Sequence, residues 1–197
     1  MTETEFEKVF IDGCSGTVPN HTLETVLYEN MSSCKLPEYT NSEIEYARAL
    51  KSTYNNTEPS GIGVSHDESI RSFVLEKSDK GEKPINNFLL PLYQGDHFDA
   101  GSTDVGDVSW QTPTAQIHVS CFASGAPGHS WQNVSIGKSS IGHKGLIYAG
   151  KVLACSAIDL YENPQIIENA KKELLSKTGG GFSSPIPDGE TIKELSK

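Results

Sequence analysis

Basic residues are scarce in this sequence relative to acidic ones. Its 197 residues include 16 lysines and arginines against 26 aspartates and glutamates, which gives a formal charge of −10 at pH 7. A surface that binds nucleic acid needs concentrated lysine and arginine, because most of its contacts are made to phosphate. The acidic residues are spread along the chain, so we expect this charge to serve solubility, and no nucleic-acid partner is predicted.

Paired cysteines, an apolar leader and a membrane-spanning run are also missing. The four cysteines lie far apart and none belongs to a CxxC pair, which argues against a zinc ribbon or a thiol-redox motif. The first nine residues, MTETEFEKV, contain neither a basic region nor an apolar core. No segment approaches the length of a membrane span. We therefore expect a cytoplasmic chain with reduced thiols and no membrane partner.

Apolar residues are fewer than in most globular chains, at 36% hydrophobic and 8% aromatic. A chain of this length can still bury a core without disulfides or bound metal. The low apolar content is what one part of a larger folded unit would show.

Helix signals are strong over much of the sequence. Capping residues precede stripes of apolar residues at helical spacing, and a glycine follows the last stripe. The capping signals are Asn20, a capping box at 40–43 and the pair Asn163-Pro164. Helices are accordingly predicted after Asn20, after Thr40, over 69–77, from Ser139 onward and from Asn163 to Gly179.

Two segments alternate polar and apolar residues as strands do. In the segment 115–121 apolar residues occupy the odd positions and polar residues the even ones. The segment Glu5–Asp12 alternates less regularly, and Gly13 ends it. Together with the helices, these segments predict an α/β fold in which helices surround a small sheet that contains 115–121.

The candidate site residues lie in polar, glycine-bearing segments between these elements. Asp104 and Asp107 stand three residues apart in GSTDVGDVSW and would share one face of a helical turn. His129 follows in GHSWQ, where a neutral imidazole could bind a transition metal, with either aspartate as a further ligand or as a hydrogen-bond partner. The structural alternatives are that Asp104 caps a helix and that His129 is a structural histidine. Ser130 and Trp131 border the histidine.

The remaining histidines are interpreted as structural or surface residues. His97 has acidic neighbours at 96 and 99, but the spacing is too loose to define a site. His143 lies within a helical pattern and is expected to be packed or exposed.

Together, the segments GSTDVGDVSW, PTAQ, GHSWQ and GKSSIGHKG resemble the C-terminal part of a family of metal-dependent amidohydrolases. These are zinc or manganese aminoacylases and carboxypeptidases, including enzymes that cleave aminobenzoyl-glutamate-type amide bonds. The resemblance runs from Met1 to about Leu153, and it implies a partial catalytic domain of a zinc-peptidase-like fold. Residues 1–19 would be a remnant of the family's lid domain with one leftover strand, residues 20–180 the C-terminal portion of the catalytic domain, and 181–197 a loosely held tail.

The resemblance also implies roles for the site residues. His129 matches the family's last metal ligand, and the Asp104 segment resembles the acidic loop that borders the site. The complete enzyme would hold zinc or manganese, yet this chain has no Glu-Glu pair to supply the general base. Nor does a His-x-Asp or His-x-Cys end a predicted strand. A catalytic metal needs about three protein ligands and an open position for water. We therefore expect no catalytic residue and no hydrolysis in this chain alone. The chain need not bind a metal by itself.

Three interpretations of the chain stay open. It is a fragment of an enzyme, a subunit that completes a site with a separate N-terminal half, or a non-catalytic interaction module that kept the scaffold. The intact segments around Asp104 and His129 favour the first two. A missing half would also expose apolar surface and a strand edge, which predicts a homo-oligomer with contacts through the first strand or the apolar faces of Leu23–Met31 and Leu146–Ala157.

Overall fold

Seven α-helices make up the regular structure in the described part of the computed structural model, which comprises residues 3–7, 10, 12–95, 97–98, 101 and 103–186. The helices are α1 (His21–Ser33), α2 (Asn41–Lys51), α3 (Glu68–Lys77), α4 (Val105–Gln111), α5 (Trp131–Gly137), α6 (Ser140–Glu162) and α7 (Pro164–Thr178). Helix α6 is the longest of them and contacts α1, α5 and α7. No helix in these ranges is long and apolar enough to cross a membrane.

Three predicted capping signals lie at observed helix ends. Asn20 Oδ1 accepts a hydrogen bond from Leu23 N at 3.1 Å at the start of α1. Thr40 and Glu43 form a reciprocal capping box at the start of α2. Gly179 ends α7 in the left-handed conformation, with φ 65°, which glycine adopts without steric cost. These residues satisfy backbone groups that helix ends leave unpaired, so these three local predictions are confirmed. Pro164 begins α7 as predicted, but the side chain of Asn163 makes no cap hydrogen bond.

The prediction of an α/β fold with a small sheet is wrong, because no strand is found in the part of the chain that the structure describes. The side chains of 115, 117 and 119 are half-buried and those of 116, 118 and 120 exposed, which is the period of an extended chain. A strand also needs a neighbour, however. Within the described ranges the backbone N–H and C=O groups of 115–119 make no hydrogen bond. The alternation therefore identified the inner face of this segment but not a sheet.

The predicted strand Glu5–Asp12 is not observed either. Residues 5–7, 10 and 12 have no regular secondary structure, and residues 8, 9 and 11 lie outside the described residues. The side chain of Phe6 is 93% exposed, so packing does not fix an extended conformation at this position. The division into 1–19, 20–180 and 181–197 stays a prediction, and residues 187–197 lie outside the described ranges.

Most of the buried apolar side chains form three clusters, and α6 takes part in two of them. The first joins residues of α2 and α5 to Ile141 of α6. The second pairs Leu27 of α1 with Tyr148 of α6, and the odd-numbered side chains of 115–119 pack against it. The third surrounds Val74 of α3 and includes half-buried aromatic residues. The core is thus built from helices and one irregular segment, and the apolar face of α1 is used inside it.

Candidate functional site

The segment GSTDVGDVSW contributes α4, which holds the chain just before α1. Three of its side chains bond to the backbone of residues 15–18: Asp107 Oδ1 accepts from Ser15 N at 2.8 Å, Ser109 Oγ accepts from Val18 N at 2.8 Å, and Trp110 Nε1 donates to Gly16 O at 2.9 Å. These bonds join positions more than 90 residues apart in the sequence. The segment therefore has a structural role that the sequence did not reveal.

Gly106 allows the close approach of α4 to this N-terminal segment. A Cβ added at Gly106 would lie 2.0 Å from the carbonyl oxygen of Ser15, far inside van der Waals contact. The obstacle is backbone rather than the end of a flexible side chain, so any larger residue would push the two segments apart. Glycine is required here for space.

The two aspartates of this segment have different surroundings. Asp107 is half-buried and bonded to Ser15, whereas Asp104 is exposed and makes no cap hydrogen bond with α4. The capping alternative for Asp104 is therefore not observed. Loss of hydration, together with the charges of Asp12, Asp104 and Asp107, raises the pKa of the exposed Cys14 thiol. The aspartates thus lie close enough to Cys14 to disfavour its thiolate.

His129 occupies an exposed turn directly before α5. Its backbone has φ 51°, a left-handed value that costs most side chains about 1 kcal/mol and that histidine tolerates better than most. Ser130 fixes the turn, because its Oγ donates to Pro127 O at 2.6 Å and accepts from the N–H of Asn133 at 3.4 Å. Trp131 begins α5 with its indole 60% exposed.

The structure does not join these residues into a metal site. Within the described ranges no hydrogen bond or ion pair connects His129 with Asp104 or Asp107. No group of three His, Cys, Asp or Glu side chains that could hold a metal ion occurs in the same ranges. The metal-binding role of His129 and the bordering roles of Asp104, Asp107, Ser130 and Trp131 therefore stay predictions.

The segment GKSSIGHKG contributes a buried ion pair instead of a site. Lys144 Nζ donates to Glu43 Oε2 at 2.7 Å, and Ser140 Oγ donates to the other carboxylate oxygen. Burial alone would raise the pKa of Glu43, but the hydrogen bonds from Lys144, Ser140 and Thr40 lower it to about 2. The carboxylate therefore stays ionised and links α2 to the first turns of α6.

A pair of stacked imidazoles lies outside the predicted site. The ring centroids of His66 and His97 are 4.2 Å apart, and the two ring planes are inclined by 13°. The hydroxyl oxygen of Tyr93 lies 2.5 Å from His97 Nδ1. Sequence reasoning missed this contact because the two histidines are far apart in the chain and share no spacing signal. The acidic neighbours at 96 and 99 lie outside the described residues.

A groove of about 340 Å³ lies beside the irregular segment 115–121. Its lining comes mainly from residues 86–93 and 116–120, together with side chains of α1 and Tyr148 of α6. Ser120 Oγ donates to Asn86 O at 2.7 Å and ties the two irregular segments together at one point. Nothing in the sequence pattern pointed to this groove, because its walls come from three separate parts of the chain.

Comparison with known proteins identifies one relative. The chain is similar to p-aminobenzoyl-glutamate hydrolase of Escherichia coli strain K12, in the subunit designated B. Identity is 34% over 200 residues, which cover 99% of this chain but only 41% of the relative. No family model matches the chain, and no solved structure matches it. The resemblance found in the four motifs is confirmed, and the chain spans less than half the length of this relative, consistent with a C-terminal part.

Proposed function

We propose that this chain is the C-terminal part of a metal-dependent amidohydrolase that cleaves aminobenzoyl-glutamate-type amide bonds, and that it hydrolyses nothing by itself. The similarity to the p-aminobenzoyl-glutamate hydrolase of E. coli supports the reaction class, because it runs through 99% of this chain. The same comparison supports the inactivity, because more than half of the relative has no counterpart here. We place the protein in the cytoplasm, consistent with four cysteines that form no disulfide.

Zinc or manganese would be the metal of the complete enzyme, and the described residues do not fit it by themselves. Their His, Cys, Asp and Glu side chains provide no group of three that could hold an ion. A catalytic metal ion needs about three protein ligands and an open position for water. We therefore assign the other ligands and the general base to the part of the enzyme that has no counterpart in this chain.

His129 is the metal ligand that we assign to this chain. Its imidazole is exposed, and no hydrogen bond within the described ranges occupies either ring nitrogen. The turn that carries it is fixed by the two hydrogen bonds of Ser130. An exposed histidine on a fixed turn can complete a site that a second body brings to it. Asp104, which has no cap bond to hold it, is assigned to the border of the same site.

A chimera tests this proposal. This chain replaces its counterpart in the E. coli relative, and release of p-aminobenzoate is followed with zinc or manganese supplied. We expect activity in the chimera, none in this chain alone, and a loss of at least about a hundredfold in the chimera with His129→Ala. His118→Ala is the matched control, since His118 is also exposed and should leave the rate unchanged.

Three results would count against the proposal. Hydrolysis by this chain alone that disappears in His129→Ala would show that the chain needs no second part. A folded chimera whose activity is the same with and without His129 would remove the ligand assignment. A folded chimera with no activity at all would favour the alternative, a non-catalytic interaction module that retains the scaffold.

The exposed apolar face of α6 supports the proposal that another part of the protein covers it. Large apolar side chains on this face are more than half exposed: Leu146, Ile147, Leu153, Ile158 and Tyr161. Gly150 lies among them with open space around its Cα. A helix that is apolar on two sides is typical of the interior of a larger domain. We propose that the missing part of the enzyme covers this face in the complete protein. In the isolated chain, α6 of a second copy would cover it.

Sedimentation of the isolated chain tests the second copy. We expect a concentration-dependent dimer that Ile147→Glu and Leu153→Glu convert to monomer, because each places a charge in the apolar face. Lys151→Glu is the matched control, since Lys151 is exposed and already charged. A monomer at high concentration, or a dimer that the two substitutions do not affect, would rule out this face as the contact.

A further inference from the structure

Helices α1 and α6 pack against each other, and polar contacts fix their alignment. The side-chain amide of Asn30 donates to Asp159 Oδ2 at 2.5 Å, and the hydroxyl of Tyr148 donates to Met31 O at 2.7 Å. Asn30 is buried, and its amide also donates to Val26 O within its own helix at 3.0 Å. The contact between Asn30 and Asp159 is therefore held on both sides and sets which turns of the two helices face each other.

The two helices run in opposite directions. Glu29 of α1 lines a small cleft together with Glu162, the last residue of α6. Cys34, which directly follows α1, packs instead against the cluster that contains Val152, in the middle of α6. A step towards the C-terminus of α1 therefore corresponds to a step towards the N-terminus of α6.

This alignment brings two cysteines together. Cys34 is the C-cap residue of α1, and its N–H donates to Asn30 O at 3.0 Å, so it lies one turn beyond Asn30 on the same face. Cys155 precedes Asp159 by four residues in α6 and shares a face with it in the same way. Because Asn30 contacts Asp159 and the helices are antiparallel, Cys34 faces Cys155.

The two thiols are close enough to influence each other. Loss of hydration raises the pKa of Cys34, and Cys155 raises that pKa further through its charge and a side-chain hydrogen bond, while Lys151 lowers it. Both cysteines are half-buried, so a small oxidant can reach them. Sequence analysis could not find this pair, because positions 34 and 155 are separated by more than half of the chain.

We propose that Cys34 and Cys155 form a redox modification site, at which a small-molecule disulfide of the glutathione class joins α1 to α6. One thiolate attacks the S–S bond of glutathione disulfide and displaces one glutathione. The other thiol attacks the resulting mixed disulfide and displaces the second glutathione. The protein gains one S–S bond and is oxidised, glutathione disulfide loses its own S–S bond and is reduced, and the two thiol protons end on the two glutathiones.

The bond would make the fold respond to the thiol balance of its surroundings. Disulfides in a reducing compartment are mostly transient, so the pair should stay as thiols there and close only under oxidation. Closure would link residues across more than half of the chain and restrict the unfolded state, which stabilises the fold. The proposal concerns this chain alone and needs neither a metal nor the missing part of the enzyme.

Peptide mapping tests the site. The reduced chain is incubated with glutathione disulfide, quenched with acid, alkylated with N-ethylmaleimide and digested with pepsin without reductant. We expect peptides joined through Cys34 and Cys155 to exceed the mixed disulfides of these residues by at least about tenfold, because the second thiol is already in place. A buffer dominated by reduced glutathione should return both thiols.

Matched variants and an unfolded control show whether the fold directs the pairing. Cys155→Ser should leave Cys34 with a glutathione adduct, and Cys34→Ser should do the same for Cys155. The double variant Cys14→Ser/Cys121→Ser should keep the bond. In urea the parent should lose its preference for this pair, because the helices that hold the two thiols together are then absent.

Thermal unfolding provides a second readout. The oxidised parent should melt at least about 5 °C above the reduced parent, because the bond restricts the unfolded chain. Cys155→Ser should melt at the same temperature with and without glutathione disulfide. Circular dichroism at the helix band follows both proteins.

Four results would overturn the proposal. The first is glutathione adducts on Cys34 and Cys155 in the folded parent without a bond between them. The second is an equal preference for this pair in urea. The third is a bond that lowers the melting temperature, because the thiols would then meet only in a distorted fold. The fourth is a bond that persists in excess reduced glutathione, because it would then be a permanent structural disulfide.

Discussion

The carboxylate of Glu173 on α7 caps the first turn of α1 at Thr22. Glu173 Oε2 accepts hydrogen bonds from the backbone N–H of Thr22 at 2.9 Å and from its hydroxyl at 2.7 Å, while Oε1 accepts from His21 N at 2.7 Å. Burial alone would raise the pKa of Glu173, but the bonds from Lys177, Thr22 and His21 lower it to about 2. A carboxylate at a helix N-terminus also stabilises the helix dipole.

Glu173→Gln is expected to lower the free energy of unfolding by about 2 kcal/mol at pH 7. The folded-state pKa of about 2 lies below the usual 4.5, so the ionised carboxylate stabilises the fold above about pH 4.5. That contribution is lost as the pH falls from 4.5 towards 2, and the variant and parent should then converge. Urea unfolding at pH 7 and pH 3 measures the change, with Glu168→Gln, an exposed residue of the same helix, as the control.

A constant difference between parent and Glu173→Gln from pH 7 to pH 2.5 would contradict this account. The hydrogen bonds of residue 173 would then stabilise the fold by their geometry, independently of the charge on its side chain.

The buried pair Glu43–Lys144 should show strong coupling. Glu43 is 9% exposed and Lys144 is 32% exposed, so removal of one partner leaves a largely desolvated charge. We expect Lys144→Met to lower the free energy of unfolding by about 3 kcal/mol. The double variant Lys144→Met/Glu43→Gln should lose about 1.5 kcal/mol less than the sum of the losses in the two single variants. Unfolding in urea measures all four proteins of this cycle.

The pair Lys35–Glu38 is the control for that cycle. Both side chains are more than three-quarters exposed, and exposed pairs of this kind couple only weakly because water screens their charges. Equal coupling energies in the two cycles would mean that burial does not strengthen the bond between Glu43 and Lys144.

Gly106→Ala should separate α4 from the segment 15–18. The new Cβ would meet the carbonyl oxygen of Ser15, and relief of that overlap is expected to cost about 2 kcal/mol. The amides of Ser15 and Val18 should exchange faster, because their acceptors are on α4. Gly150→Ala is the control of opposite sign: it meets open space within α6 and should stabilise the isolated chain by up to about 1 kcal/mol. Unchanged exchange at both amides would contradict the role of Gly106.

Asp104→Asn should make Cys14 more reactive. Removing one of the carboxylates that raise the pKa of this thiol lowers that pKa and increases the thiolate fraction at neutral pH. We expect alkylation of Cys14 by iodoacetamide at pH 7.5 to become about twofold faster, as measured by peptide mass spectrometry. Cys155 serves as an internal reference in the same digest. Equal rates at Cys14 in both proteins would show that Asp104 does not influence it.

Local signals in the sequence predicted the parts of the fold that depend on neighbouring residues. Asn20, the capping box at Thr40 and the glycine at 179 act within one helical turn, so their patterns suffice to place helix ends. The alternation in 115–121 likewise identified which side chains face the core. Whether such a segment joins a sheet depends on a partner elsewhere, and alternation carries no information about that partner.

The short helices α4 and α5 could not be predicted for the same reason. Each has seven residues, which is too few to form a stable helix in isolation. Helix α4 is held by bonds from Asp107 and Ser109 to residues 15–18, across more than 90 positions. The sequence placed His129 in a polar, glycine-bearing segment, and it lies on an exposed turn, but the sheet whose edge was expected to carry it is not found in the described residues. The sequence could not show which second body faces that turn.

The cap that Glu173 provides has a consequence for biosynthesis. It joins positions 151 residues apart. Until α7 has left the ribosome, the N–H groups of the first turn of α1 can bond only to water or to other partners. The loop closed by this contact spans most of the chain. Closing it costs conformational entropy before the stabilising contacts between α1 and α7 can form. Helix α1 is therefore completed only after α7 has been synthesised, and nascent chains stalled before α7 should expose α1 to proteases and chaperones.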